Sequence, residues 1–281
     1  MELEVYKKIR VELSKYEKHV LPKLLSAYGI SPESFCQTVL NEIKKNEKIL
    51  QAYQENPASV YAAVLAGAEI GLVPNELGGE FYLIPRAIKQ KNGKYLMTAC
   101  PQIGYKGLVR LLLRGGEYVR VHAEVVYAGD EFEPVFGLEP NIIHKPNFAA
   151  SRTAADITHA YAVAKSKNGE YSFFVMSRAE IVAIQNMAKE PNSLYFNDKK
   201  NPMRWMERKA PLVQLAKTLI KDTHIQHAIG QDGAVEAGAF LTLDEHDKPM
   251  LVEDTMVRPT RMRNIYGTLN KSAEEQQEEN Q

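Results

Sequence analysis

The apolar positions of this chain change period along its length. Phe35, Val39, Leu40 and Ile43, then Val60, Tyr61, Val64, Leu65 and Ala68, recur at the spacing of one helix face. Ser31-Pro32-Glu33-Ser34 offers an N-cap followed by proline at the first helical position, and Asn56-Pro57 repeats the start signal. Gly71 is a plausible stop for the second helix. From residue 81 the period shortens. Phe81-Tyr82-Leu83-Ile84, a turn at Lys91-Asn92-Gly93-Lys94 and a return run from Tyr95 to Ala99 predict a β-hairpin over 80–100. A short helix over Gly104–Arg114, stopped by Gly115-Gly116, precedes a strand over Tyr118–Tyr127. A second hairpin pairs Ala160–Lys165 with Tyr171–Val175, and Ser177-Arg178-Ala179-Glu180 has capping-box spacing for the next helix. One more helix is expected from Asn201-Pro202 towards Lys221, interrupted at Pro211. Beyond about residue 230 periodicity fades, and the last twelve residues have the composition of a disordered tail. The expected class is α+β: a helical N-terminal region, antiparallel hairpins with flanking helices, and a poorly ordered acidic end.

Composition narrows the function classes. The chain has 281 residues, 44% hydrophobic and 25% charged, enough for a sizeable core. No apolar run is long enough for a transmembrane helix, and the charged N-terminus lacks the apolar region of a secretory signal. Two isolated cysteines, Cys36 and Cys100, suit a reducing compartment, so cytoplasm is the expected location. The net charge of zero conceals an uneven distribution. Arg86, Lys89, Lys91, Lys94, Lys106, Arg110, Arg114 and Arg120 face a single acid, Glu117, within their segment. Lys199, Lys200, Arg204, Arg208, Lys209, Lys217 and Lys221 likewise face only Glu207. Glu274, Glu275, Glu278 and Glu279 reverse the sign near the end. Basic blocks beside an acidic tail point to a local polyanion site, although such runs also occur as solvated faces.

No phosphate-cradling G-x-x-x-x-G-K-[ST] loop occurs, nor G-x-S-x-G or H-E-x-x-H. His224 and His227 share a helical spacing but have no evident third metal ligand. Asp130, Glu131 and Glu133 resemble a nuclease carboxylate cluster, but a turn after Gly129 also accounts for solvated acids. The strongest positive signal is the segment from Pro101 to Arg114. Its glycines lie at a strand-to-helix junction, where a polyanion could approach the main chain. Arg110 and Arg114 are spaced i, i+4; Gln102 could bond a phosphate or a base edge, and Tyr105 could stack on a base. The second signal runs from Phe196 to Lys209, where Arg204 and Arg208 share the same spacing and the single tryptophan, Trp205, is either a core anchor or a stacking group.

These two segments, in this order, resemble the RecT family of phage single-strand annealing proteins and, more distantly, the Redβ group. The resemblance also rests on Ala68-Glu69-Ile70-Gly71-Leu72-Val73-Pro74-Asn75, Gly79 to Pro85, Gly129-Asp130-Glu131-Phe132, Ile143-His144-Lys145-Pro146 and His159 to Ala164. It covers roughly residues 30–225 and departs at Val213, Gln214 and Ile220, where some members carry more basic residues or proline. It implies a non-enzymatic homo-oligomer, ring or helical filament, that coats single-stranded DNA and pairs complementary strands during phage recombination without ATP. No cofactor is expected, with magnesium at most a modulator of DNA binding. Expected partners are single-stranded DNA, the annealed duplex, an exonuclease and the host single-strand-binding protein, in the host bacterial cytoplasm and not on a membrane. A metal-dependent nuclease using Asp130 and Glu133, or a structural phage protein that self-assembles through its basic blocks, are the alternatives.

Candidate DNA-binding residues are Arg86, Gln102, Tyr105, Lys106, Arg110, Arg114, Arg120, Lys145, Lys199, Lys200, Arg204, Arg208, Lys209, Lys217 and Lys221. The expected division is a helical region over 1–55 that carries oligomer contacts, an annealing core over 56–229 and a C-terminal segment over 230–281. The acidic tail has too few apolar residues to offset its ordering entropy. Deleting 270–281 should leave the melting temperature unchanged and single-strand binding equal or tighter; a fall in melting temperature would show that the segment packs.

Overall fold

The computed structural model describes residues 2–89, 93–187, 194–236, 239–246 and 248–252. Lys91 and Asn92 of the expected turn, and the acidic tail, lie outside the described residues. Five helices come first: α1 (Glu2–His19), α2 (Leu21–Leu25), α3 (Pro32–Lys45), α4 (Glu47–Glu55) and α5 (Pro57–Glu69). The hairpin β1 (Phe81–Lys89) and β2 (Tyr95–Ile103) follows, then α6 (Tyr105–Arg114) and β3 (Tyr118–Tyr127). Next are β4 (Glu131–Val135), β5 (Asn141–Lys145), β6 (Ile157–Ser166), β7 (Tyr171–Ser177) and α7 (Arg178–Met187). The last described elements are α8 (Trp205–Leu219), α9 (Thr223–Glu236), β8 (Phe240–Leu243) and β9 (Pro249–Val252). The fold is α+β, and its sheets are antiparallel: β1-β2, β3-β6-β7, β4-β5 and β8-β9.

Local chemistry sets the helix ends. Ser31 Oγ accepts from the Ser34 amide at the start of α3, and Asn46 Oδ1 accepts from the Lys48 amide at the start of α4. Every residue of α5 from Ser59 to Ala68 is buried, so this helix is wrapped on all sides. It packs on β1-β2, on α2 and α4, and on β8, whose Leu241 meets Ala62 and Ala66. Buried residues of α1 and α3 share one core cluster with Leu108, Leu111 and Leu112 of α6, Leu212 and Leu215 of α8, and Ile225 and Ile229 of α9.

α5 ends in a Schellman turn. Gly71 has φ +61°, its amide donates to Ala68 O, and the Leu72 amide donates to Gly67 O at 2.8 Å. A Cβ on Gly71 would overlap the Tyr28 ring, whose hydroxyl donates to Glu69 O at 2.7 Å. Arg114 completes the cap. Its Nη1 donates to Ile70 O at 2.5 Å and its Nη2 to Gly71 O at 2.9 Å, while the guanidinium lies 4.6 Å from the Tyr28 ring centroid. A cation at a helix C-terminus also opposes the negative end of the macrodipole.

Three features differ from the sequence expectation. α8 begins at Trp205 rather than Asn201 and runs unbroken through Pro211, whose missing amide falls within the first two turns. The β4-β5 ribbon has no counterpart in the sequence pattern, because its strands have five residues each and Pro134 sits inside one of them. Beyond residue 230, α9 continues to Glu236 and the β8-β9 pair follows; four-residue strands offer too little alternation to detect.

Replacing Arg114 with alanine should lower the unfolding free energy by about 1–3 kcal/mol, because the Ile70 and Gly71 carbonyls lose their donors inside the fold. Lysine should recover only part, since one ammonium cannot reproduce the two-pronged geometry. Urea unfolding checks this; an unchanged free energy would show that the cap contributes nothing.

Candidate nucleic-acid interface

The structure divides the basic residues into two groups. One group is engaged within the fold. Arg86 Nη1 donates to Val235 O at 2.5 Å, in the last turn of α9. Arg204 is buried; it is the N-cap residue of α8 with φ +59°, and its guanidinium bonds Asp198 and Asn201 O. The i, i+4 spacing with Arg208 therefore does not place two guanidiniums on one helix face. Lys209 is buried 3.2 Å from Asp232, whose other oxygen accepts from the Ile103 amide and so ties α8, α9 and β2 together. Arg114 bonds the end of α5, while its expected partner Arg110 bonds Glu80. The segment from Phe196 to Lys209 is thus a polar knot. Glu207, fully buried, accepts from the Phe196 amide and Asn201 Nδ2, and Asn201 Oδ1 accepts from the Trp205 amide.

The glycines beside α6 serve the protein's own packing. A Cβ on Gly104 would stand 2.2 Å from Gly79 O, and one on Gly107 would stand 2.1 Å from Glu80 O. The close approach expected of a polyanion is made by residues 79–80 instead. Tyr105 is likewise engaged: its hydroxyl accepts from the Ala123 amide at 3.0 Å, and its ring lies 5.3 Å from that of Trp205. Burial raises the Tyr105 pKa, against that hydrogen bond and the nearby Arg208, so the hydroxyl stays protonated at neutral pH.

The second group reaches solvent. Lys106, Lys199, Lys200 and Lys217 are exposed. Arg110 is exposed and bonded to Glu80 at 2.7 Å, Lys145 to Glu131 at 2.7 Å, and Lys221 lies 3.6 Å from Glu117. Arg208 bonds Glu124 at 2.8 Å and stands over Trp205, and Gln102 is half-buried opposite Tyr82. Arg120 is exposed on β3.

Strand register shows what surrounds Arg120. It stands opposite Lys165 on β6, which stands opposite Tyr171 on β7. The Lys165 ammonium lies 5.3 Å from the Tyr171 ring, and Tyr171 is 55% exposed. The next row on this face, two residues along, is His122, Val163 and Phe173, and the third is Glu124, Tyr161 and Val175. α8 packs against the three-stranded sheet and touches β3, β6 and β7. The β4-β5 ribbon roofs the third row, where Phe132 stacks on Tyr161, and reaches the second, where Phe136 rests on Phe173 with centroids 5.5 Å apart. The first row is left open, a cationic and aromatic strip of the kind that holds a nucleic-acid strand by phosphate and base face. Lys165, Tyr171, His122 and Phe173 are not among the sequence candidates. The alternation of the β6-β7 hairpin carries the signal, because it puts Lys165 and Tyr171 on one face.

The model of the RecT family matches residues 33–240, most of the chain. Protein RecT of Escherichia coli K12 is 32% identical over 204 residues, 71% of this chain and 70% of that protein. The chain belongs to the RecT family. In this RecT-family fold one of the suspected nuclease carboxylates, Asp130, is engaged at the base of the ribbon, while Glu133 is exposed. Asp130 accepts from the Tyr127 and Asn147 amides, from Arg152 at 2.6 Å and from His144 Nε2 at 3.1 Å. A carboxylate only accepts, so His144 Nε2 carries a proton, and Nδ1 shares a hydrogen bond with the Tyr161 hydroxyl at 3.1 Å. Among the described residues no group of three or more His, Cys, Asp or Glu is placed to hold a metal ion.

Burial alone would push the Asp130 carboxyl up; the hydrogen bonds outweigh it and hold the pKa at about 2. A carboxylate depressed on folding stabilises above its unfolded pKa, and that contribution is lost as pH falls towards about 2. Asp130→Asn should therefore cost roughly 2 kcal/mol at pH 7, with the gap from wild type closing between about pH 4 and pH 2. Urea unfolding across that range checks it; a gap independent of pH would remove ionisation from the account.

Proposed function

We propose that the protein holds single-stranded DNA by its backbone and anneals complementary strands in homologous recombination, without ATP and without a catalytic centre. The observation that carries the reading is the open Arg120–Lys165–Tyr171 row in a chain of the RecT family. Arg120 and Lys165 supply a hold independent of sequence, and Tyr171 offers a ring to a base. Lys106 and Arg110 are further exposed cations on α6, which packs on β3 and is joined to it by the Tyr105 hydroxyl. With strands held by phosphate, bases remain free to test partners, and pairing selects the correct match without fuel. The sequence has no phosphate-cradling loop that would argue for nucleotide use. Self-association, an exonuclease that supplies resected ends and a host single-strand-binding protein complete the proposed setting, in the bacterial cytoplasm. Among the described residues no helix is long and apolar enough to cross a membrane.

Incubating the protein with labelled complementary strands, with and without ATP and magnesium, tests the activity: pairing without nucleotide supports the reading, whereas strict ATP dependence or strand cleavage overturns it. The site is tested separately. Arg120→Ala with Lys165→Ala should weaken binding of every single-stranded sequence alike and flatten the salt dependence by roughly 0.7 in the log–log slope for each phosphate no longer neutralised. Tyr171→Ala should cost about 1–3 kcal/mol. Arg204→Ala should instead lower stability before it touches affinity. Unchanged affinity and slope in the double variant would remove the sheet face from the interface.

A further inference from the structure

The β4-β5 ribbon covers part of the sheet face, yet the aromatic ring at its tip is only half used. No residue from Val135 to Leu138 is charged. Phe136 rests on Phe173 of β7 and is still 67% exposed. Sealing the sheet accounts for the contact with Phe173 and not for the rest of the ring. The ring is also fixed in place. At the base of the ribbon His144 bonds Asp130 and the Tyr161 hydroxyl, and Phe132 stacks on the Tyr161 ring, so β6 anchors one end and Phe173 the other.

Strand alternation shows what lies beside Phe136. Phe173 and Tyr171 are two residues apart on β7 and share one face, so their Cα atoms are separated by about 6.6 Å. Phe136 therefore stands at the border of the Arg120–Lys165–Tyr171 row, on the Tyr171 side. The acids of β4 do not intrude there. Glu131 and Glu133 alternate with Phe132 and point away from the sheet, and Lys145 bonds Glu131. This end of the row thus offers two rings, Tyr171 and Phe136, with the Lys165 ammonium 5.3 Å from the first. Cations beside exposed ring faces hold the phosphate and the base of a single strand together.

We infer that Phe136 stacks on a base of the strand held by this row, which makes the ribbon tip a second wall of the site. The inference rests on the proposed DNA interface and adds to it a base-contacting residue from a separate element. Because the ribbon is anchored before a strand arrives, binding has little ordering of the ring to offset. Stacking accepts every base, as the pairing of arbitrary sequences requires.

Anisotropy titrations of the full chain with two labelled strands of equal length and charge test this: an oligothymidine and an abasic deoxyribose-phosphate strand, both at low salt. Phe136→Ala should weaken oligothymidine binding at least about fivefold and leave abasic binding and the salt slope as in wild type, since the lost group is an uncharged ring. Phe136→Trp should keep the affinity, and Phe136→Leu, which still covers Phe173, should lose it. Equal losses on both strands would show that the tip only holds the sheet together, and would overturn the inference. Wild-type oligothymidine affinity in Phe136→Ala would overturn it too. A wild-type protein that holds both strands equally well would keep the backbone hold and remove the stacking. One that binds neither would fail the functional reading itself.

Discussion

An apolar helix with no solvent face constrains everything around it. α5 is buried from Ser59 to Ala68, so each side needs a neighbour: α2 and α4, the β1-β2 hairpin, and β8. Its last carbonyls end inside the protein and need donors there. Gly71 closes the Schellman turn, and Arg114 reaches across from α6 to bond the Ile70 and Gly71 carbonyls. That single guanidinium fixes α6 against α5, and α6 in turn meets β3 through the Tyr105 hydroxyl. The open sheet face is positioned by this series of interactions.

The same device recurs. Arg86 bonds a carbonyl in the last turn of α9, and Arg178 donates to the carbonyls of Ala154, Ala155 and Ile157. A planar, permanently charged fork suits such work better than an ammonium. Part of the basic character that makes the sequence look like a polyanion binder thus goes into holding backbone together, through Arg86, Arg114 and Arg204. Apart from the buried Lys209, the other basic candidates reach solvent, several of them paired with an acid such as Glu80, Glu117, Glu124 or Glu131.

The sequence is most informative where periodicity is long and caps are explicit. α3, α5, α6, the β1-β2 and β6-β7 hairpins and the start of α7 at Ser177 all follow from spacing and turn chemistry. The ribbon and the β8-β9 pair do not, since their strands are too short for alternation to stand out and Pro134 argues against a strand. The site is legible only in kind. Charge blocks show that cations are plentiful, but whether a guanidinium faces water or a carbonyl depends on tertiary neighbours such as Asp198 for Arg204 and Ile70 for Arg114. Hairpin alternation puts Lys165 and Tyr171 on one face, but their row with Arg120 is not legible in the sequence because β3 lies far from that hairpin along the chain.

The central claim is that a single strand lies on the open row of the three-stranded sheet. Photo-cross-linking of an oligothymidine carrying a photoactivatable base, followed by peptide mapping, tests it most directly. The account predicts adducts on β6 and β7 around Lys165 and Tyr171. Adducts confined to the Phe196–Lys209 knot, with none on the sheet, would contradict it.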